Sequence, residues 1–166
     1  MNIAPSVQHY LSAQQIEYEV IPHPRTVSSS GTAHAVHVPD SRLAKAVVVK
    51  DNKGYVVAVL PASHHVALPQ LGAALRRDAL RLASEAELQD LFTDCALGAV
   101  PPLGAAYGLP MIVEETLAEQ PDVFFEAGDH EHVVHVTRSA FMRMTKDAPR
   151  AHFGEPGASG GGLWMQ

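Results

Sequence analysis

A chain of 166 residues with 46% hydrophobic and 18% charged residues can bury one full core and is too apolar to remain unfolded. Its net charge of -6 with histidine neutral argues against a uniformly basic nucleic-acid binder, and the single cysteine, Cys95, excludes an internal disulfide framework and agrees with a reducing compartment. No apolar run is long enough to span a bilayer, and the first residues carry neither the basic nor the apolar segment of a secretory leader, so the expected location is the cytoplasm.

The first element is a short helix from Ser6, as N-cap, to about Gln14, with Val7, Tyr10 and Leu11 on one side. Residues 16–21 alternate apolar and charged side chains, the pattern of a half-buried strand. His23-Pro24 and Ser28 to Gly31 mark a loop, with a small-residue helix from Thr32 to Val36 after it. Ala44 to Val49 and Tyr55 to Leu60 are β-branched runs joined by Asp51-Asn52-Lys53-Gly54, a hairpin that places Lys45 at the head of its first strand. Pro69 to Arg77 reads as helix, and Ser84 with Glu87 forms a capping box opening another to about Phe92.

The next stretch, Cys95 to Gly108, sets Gly98, Gly104 and Gly108 beside the adjacent prolines Pro101 and Pro102. Two missing N–H donors and two fixed φ angles exclude helix and central strand there. A rigid, glycine-flanked loop of this kind either forms a buried turn or holds its remaining N–H groups toward a ligand. Strands then follow at Met111 to Glu114, Val123 to Glu126 and His132 to Val136, with a turn or short helix from Glu115 to Gln120 and a break at Gly128-Asp129. Thr137 or Ser139 caps a last helix to about Lys146. Hairpins outnumber helical crossovers, so the expected fold class is α/β of the α+β type, a mixed, curled or barrel-like sheet surrounded by helices. Residues 1–150 form one domain, and the glycine-rich residues 151–166 a flexible tail on which Trp164 is a candidate docking residue.

Charge is unevenly placed: residues 1–83 hold eight Lys and Arg against five Asp and Glu, and residues 84–166 hold four against thirteen. Arg25, Arg42, Lys45, Lys50, Lys53, Arg76, Arg77 and Arg81 are therefore candidates for contacting phosphates. On a strand His130 and His132 share one face and His135 takes the other, which is half of a zinc set, and no HExxH or CxxC accompanies them, so no metal is assigned. There is no GxSxG elbow, no phosphate-binding GxxxxGK[ST] and no GxGxxG, and the apolar setting of Cys95 raises a thiol pKa. An enzyme lacking all of these needs an already activated substrate, and an aminoacyl ester is one.

Arg42 to Lys50, Gly98 to Gly104 and Phe125 to His130, followed by a final strand and helix, resemble in this order the prolyl-tRNA editing-domain family, the YbaK-like aminoacyl-tRNA deacylases, over roughly residues 17 to 146. The resemblance implies a mixed, barrel-like sheet with helices outside and a free-standing hydrolase that removes a small amino acid from mischarged tRNA. Lys45 matches the family's lysine, which would bind the terminal phosphate or ribose and orient the ester. Gly98 and Pro102 match the ends of its GxxxP loop, with Ala99, Val100 and Pro101 between them lining the substrate and the loop's remaining N–H groups facing the carbonyl. Gly128, Asp129 and His130 fall on a second turn beside the pocket, where His130 could hydrogen-bond the substrate amine or a water. The ribose hydroxyl would assist the attacking water, so neither a protein base nor a cofactor is implied. The implied partners are the tRNA acceptor end and, as a further candidate, an aminoacyl-tRNA synthetase. Ala46, Glu126, Asp129 and His130 depart from some branches, which motivates a second reading as a non-catalytic module binding tRNA, a nucleotide or a synthetase. A metal-dependent hydrolase built on His130 and His132 is a third.

Overall fold

The computed structural model describes residues 3–157. Pro5, whose missing N–H costs nothing in a first turn, opens α1 (Pro5–Ala13), so Ala4 and not Ser6 is the N-cap. Ser6 instead donates its backbone N–H to Asp94 Oδ2 at 2.8 Å. Gln15, left-handed at φ 56°, turns the chain, and the alternating pattern becomes strand only at β1 (Glu19–Pro22). The loop expected over Ser28 to Gly31 is the cap and first turn of α2 (Ser29–Ala35), where Ser28 Oγ accepts from Gly31 N at 2.9 Å. The hairpin of β2 (Leu43–Asp51) and β3 (Gly54–Pro61) is as read, paired from Ala44↔Pro61 to Asp51↔Gly54. Then come β4 (His64–Val66), α3 (Leu68–Leu75), β5 (Arg81–Leu82) and α4 (Glu85–Leu91), the last opened by the Ser84–Glu87 capping box. After the double-proline loop follow β6 (Met111–Glu114), α5 (Glu115–Ala118), β7 (Asp122–Glu126), β8 (His132–Thr137) and α6 (Arg138–Met144), which Thr137 caps. The described chain ends with β9 (Arg150–Ala151) and β10 (Gly154–Pro156).

These strands build one mixed sheet in the order β1-β8-β7-β2-β3-β6-β9, with β5 also on β2, and a small second sheet of β10 and β4. Helices cover both faces, as expected. Ala44, Ala46 and Val48 point into the larger core with Val7 and Leu11 of α1 and Phe141 and Met144 of α6. Val47 and Val49 face a second core with Leu71 of α3 and Phe153. Burial on both faces is why β2 reads as an unbroken apolar run, seven of its residues from Leu43 to Val49 being buried. Lys45 lies inside that run.

The other edge of β2 is shared. β7 pairs parallel with it through Leu43↔Phe124 and Ala44↔Phe125, while β5 joins only at Val49↔Leu82 and Lys50↔Arg81. Lys45 and Glu126 are the next residues beyond the last rung of the parallel pair, so both stand where β2 and β7 part.

Residues 151–157, the first part of the flexible tail expected over 151–166, are packed on the domain, and residues 158–166 lie outside the described residues. Ala151 pairs with Glu114, residues 154–156 pair with β4, and Phe153 is 1% exposed, because this segment seals the apolar face beside α3. Trp164 lies outside the described residues. Phe153→Ala is expected to cost about 3–5 kcal/mol, as for a large aromatic removed from a core. Urea unfolding with an unchanged midpoint would return this segment to the status of a tail.

Candidate active site

Where β2 and β7 separate, a narrow crevice opens with free space of about 330 Å³ including its mouth. Ala44 and Lys45 form one wall, Glu126 and His130 another, Gly98 and Val100 a third, and Val27, Ser28, Ser29 and Thr32 the rim before and along α2. Lys45 is 6% exposed. No hydrogen bond or ion pair holds its ammonium among the described residues. Burial pushes its pKa down, and Asp40 pulls it part of the way back. On its other side Lys45 borders an apolar slot made by Val47, His65, Val66, Leu68 and Leu82.

The double-proline loop reaches the crevice because two hydrogen bonds clip it to the turn after β7. Ala96 N donates to Gly128 O at 2.7 Å, and His130 Nε2 donates to Leu97 O at 2.5 Å. Both turn residues are left-handed, Gly128 at φ 114° and His130 at φ 65°. A side chain on Gly128 would also strike Ala4 Cβ at 2.9 Å, so glycine is required there by conformation and by space. Pro101 and Pro102 are buried behind the loop. Within it, Ala99 N is spent on Ala96 O at 3.0 Å. The N–H groups of Gly98 and Val100 have no acceptor among the described residues, and both residues line the crevice.

The structure thus brings Lys45, Gly98, Val100 and His130 together and gives other tasks to the remaining candidates. Ala99, Pro101 and Pro102 shape the loop from behind. Gly128 anchors it, and Asp129 caps the next strand, accepting from Glu131 N, from His132 N and from the His132 ring at 2.6 Å. His130 precedes β8 instead of lying on it, so it does not share a strand face with His132. His135 is held between Glu19 and Asp122 at 2.6 and 2.8 Å. Among the described residues no three His, Cys, Asp or Glu side chains are grouped to hold a metal. Ala46, fully buried in the larger core, does not line the crevice.

Of the cations read as phosphate contacts, five make ion pairs with four carboxylates: Arg25 with Glu131, Arg42 with Asp122, Lys50 and Arg81 both with Glu87, and Arg77 with Asp51. Lys53, Arg76 and Arg77 border a separate, wider hollow beside α3 that shares no residue with the crevice. Sequence reasoning passed over Thr32, which donates to Glu126 Oε2 at 2.7 Å, and saw Glu126 only as a departure from a pattern. No local signal could have linked them, since 94 positions separate the two. His23 and Thr26 lie behind the rim: His23 Nε2 is 3.3 Å from Glu126 Oε2, and Thr26 Oγ1 is 2.5 Å from Thr32 Oγ1.

A mixed sheet wrapped by helices, with a loop, a turn and a strand-borne lysine converging on one crevice, defines the class of protein. The aminoacyl-tRNA editing domain matches residues 23–144, and the chain belongs to that family. Among solved structures, a candidate trans-editing enzyme for prolyl tRNA synthetase is similar at 25% identity with a TM-score of 0.77, over 92% of this chain and 99% of that one. The hypothetical protein APE2540 shares the fold at 20% identity and a TM-score of 0.79, over 90% and 99% of the two chains. No curated protein matches the chain. No helix among the described residues is long and apolar enough to cross a membrane.

Cys95 borders the back of the loop, its thiol 3.2 Å from the Tyr107 hydroxyl, and burial pushes its pKa up to about 12. It should resist iodoacetamide at pH 8 in the folded protein and react once urea unfolds it. Fast labelling of native protein, followed by mass spectrometry, would show a thiolate that this environment does not allow.

Proposed function

We propose that this editing domain is a free-standing deacylase that hydrolyses the ester of a small amino acid on mischarged tRNA, acting in the cytoplasm. The observation that carries the reading is the unpaired ammonium of a largely buried lysine in the same crevice as two unspent backbone N–H groups. Water adds to the ester carbonyl, and the charge that develops on its oxygen is met by the N–H groups of Gly98 and Val100, already aimed by the clipped loop. Collapse of the tetrahedral intermediate breaks the acyl C–O bond and releases the amino acid and the ribose hydroxyl. Lys45 holds the phosphate or ribose of the terminal nucleotide and so sets the ester against the loop.

Three features support this placement. The crevice is narrow, which suits a small acyl group. The apolar slot across Lys45 offers walls against which the terminal base can pack. Val27, 86% exposed, lines the rim and Leu97, 51% exposed, adjoins Gly98; these exposed apolar side chains suit an unstacked nucleotide end. The departure at Ala46 lies in the core, so it supplies no argument for a silent site.

Alanyl-, seryl-, cysteinyl-, threonyl- and prolyl-tRNA form the test panel. At least one should be deacylated faster than in buffer, and Lys45→Ala should lower kcat/KM about 10²- to 10³-fold, the usual cost of losing one preorganised electrostatic contact. Because burial lowers the Lys45 pKa, the charged form is lost as pH rises, and earlier than for an exposed lysine. Activity above the uncatalysed rate should therefore fall on the alkaline side, and Lys45→Arg should move that fall to higher pH. A panel without turnover would refute the reading.

A further inference from the structure

The crevice contains a carboxylate that the fold does not satisfy. Glu126 ends β7, and its Oε2 accepts from Thr32 Oγ1 at 2.7 Å. Its Oε1 is buried with no hydrogen-bond partner among the described residues. The neighbouring imidazole does not complete it. His23 Nδ1 lies 2.7 Å from the carbonyl of Pro24, which can only accept, so the neutral ring carries its proton on Nδ1. That leaves the Nε2 lone pair facing Glu126 Oε2 at 3.3 Å, and Nε2 likewise has no hydrogen-bond partner. Two acceptors facing each other beside an orphaned oxygen form a cluster short of one positive hydrogen donor. Lys45 shares the crevice but makes no ion pair with Glu126.

The two ionisable groups of the crevice, the ammonium on β2 and the carboxyl on β7, therefore make no ion pair with each other. An aminoacyl ester of a nucleotide has the complementary arrangement, a free ammonium at one end and a phosphodiester at the other. Burial also pushes the Glu126 pKa up, because a charge enclosed without a full set of donors is destabilised, and an incoming ammonium reverses that. His130, the residue the sequence nominated for the amine, uses Nε2 to hold the loop.

We propose that Glu126 is the binding residue for the α-ammonium of the substrate and makes this crevice selective for esters of unblocked amino acids. The inference rests on the deacylase reading and adds to it the group that tells an aminoacyl ester from other acyl esters. Thr32, itself 2.5 Å from Thr26 Oγ1, positions the carboxyl through its hydrogen bond to Oε2.

The test compares whichever aminoacyl-tRNA of the panel is turned over with its α-hydroxyacyl counterpart, made by deamination, which replaces ammonium by hydroxyl at nearly equal size. Wild-type protein should favour the aminoacyl ester by about a hundredfold in kcat/KM after correction for the uncatalysed rates, the scale on which a buried charge pair discriminates. Glu126→Gln should reduce that ratio about tenfold or more, and Glu126→Asp should restore part of it. As a measurement that needs no variant, a non-hydrolysable 3′-aminoacylamino adenosine should inhibit wild-type protein at least about tenfold better than its hydroxyacyl analogue. Active wild-type protein that inhibitors of both kinds block equally, or a ratio unmoved in Glu126→Gln, overturns the role of Glu126 and leaves the deacylase reading standing. Wild-type protein inactive on every ester overturns both.

Discussion

A lysine ammonium placed on a strand that is buried on both faces must lose hydration, a penalty of several kcal/mol unless a counter-charge or a ring of acceptors replaces the water. Lys45 receives neither from its neighbours: the nearest compensation is the longer-range pull of Asp40, and the fold leaves a gap beside the ammonium. That gap follows from the sheet. β7 runs alongside β2 for two rungs and then diverges, and β5 takes over the same edge only at Val49. The interruption leaves room for the rim of α2 and for a loop from elsewhere in the chain.

What enters the gap is held by a different kind of constraint. The double-proline loop has few hydrogen bonds of its own, because two of its residues have no N–H to give. Its position comes from the turn after β7, through Gly128 O and the His130 ring, and from the proline rings packed behind it. Loop and turn are thus tied together, and Gly98 and Val100 are held at the crevice wall by contacts within the fold. Such preorganisation is what gives backbone donors their effect on a developing charge.

The electrostatics around the crevice are correspondingly local. Most of the cations in the first half of the chain are paired with carboxylates, so the formal surplus of basic residues there is spent within the fold. Among the described residues of that half, Lys45 in the crevice and Lys53 and Arg76 beside α3 are left without a carboxylate partner. On the reading proposed above, recognition by the Lys45 ammonium, the Glu126 carboxyl and an apolar rim relies on fit and desolvation more than on long-range steering.

The hairpin, the capping box at Ser84, the strands at Met111 and His132 and the prohibitive dihedrals at Pro101-Pro102 were legible in the chain, because each is a local rule: alternation, a cap, a fixed φ. The family too was legible, from the order of three short stretches. The site was legible only in part. Lys45 and the Gly98–Val100 loop carry a pattern within a few residues, while the tasks of Gly128 and His130 depend on hydrogen bonds to a loop some thirty residues earlier, and the partnership of Glu126 with Thr32 and His23 spans about a hundred. The strands β4, β5, β9 and β10 are too short to show a period, and the glycine content after residue 151 concealed a Phe153 that fills a core. The sequence alone determined where the backbone could bend and which runs would be buried, since those follow from neighbouring residues. Only the tertiary structure decided which polar groups would be left without partners, because that depends on what distant strands bring to the same place.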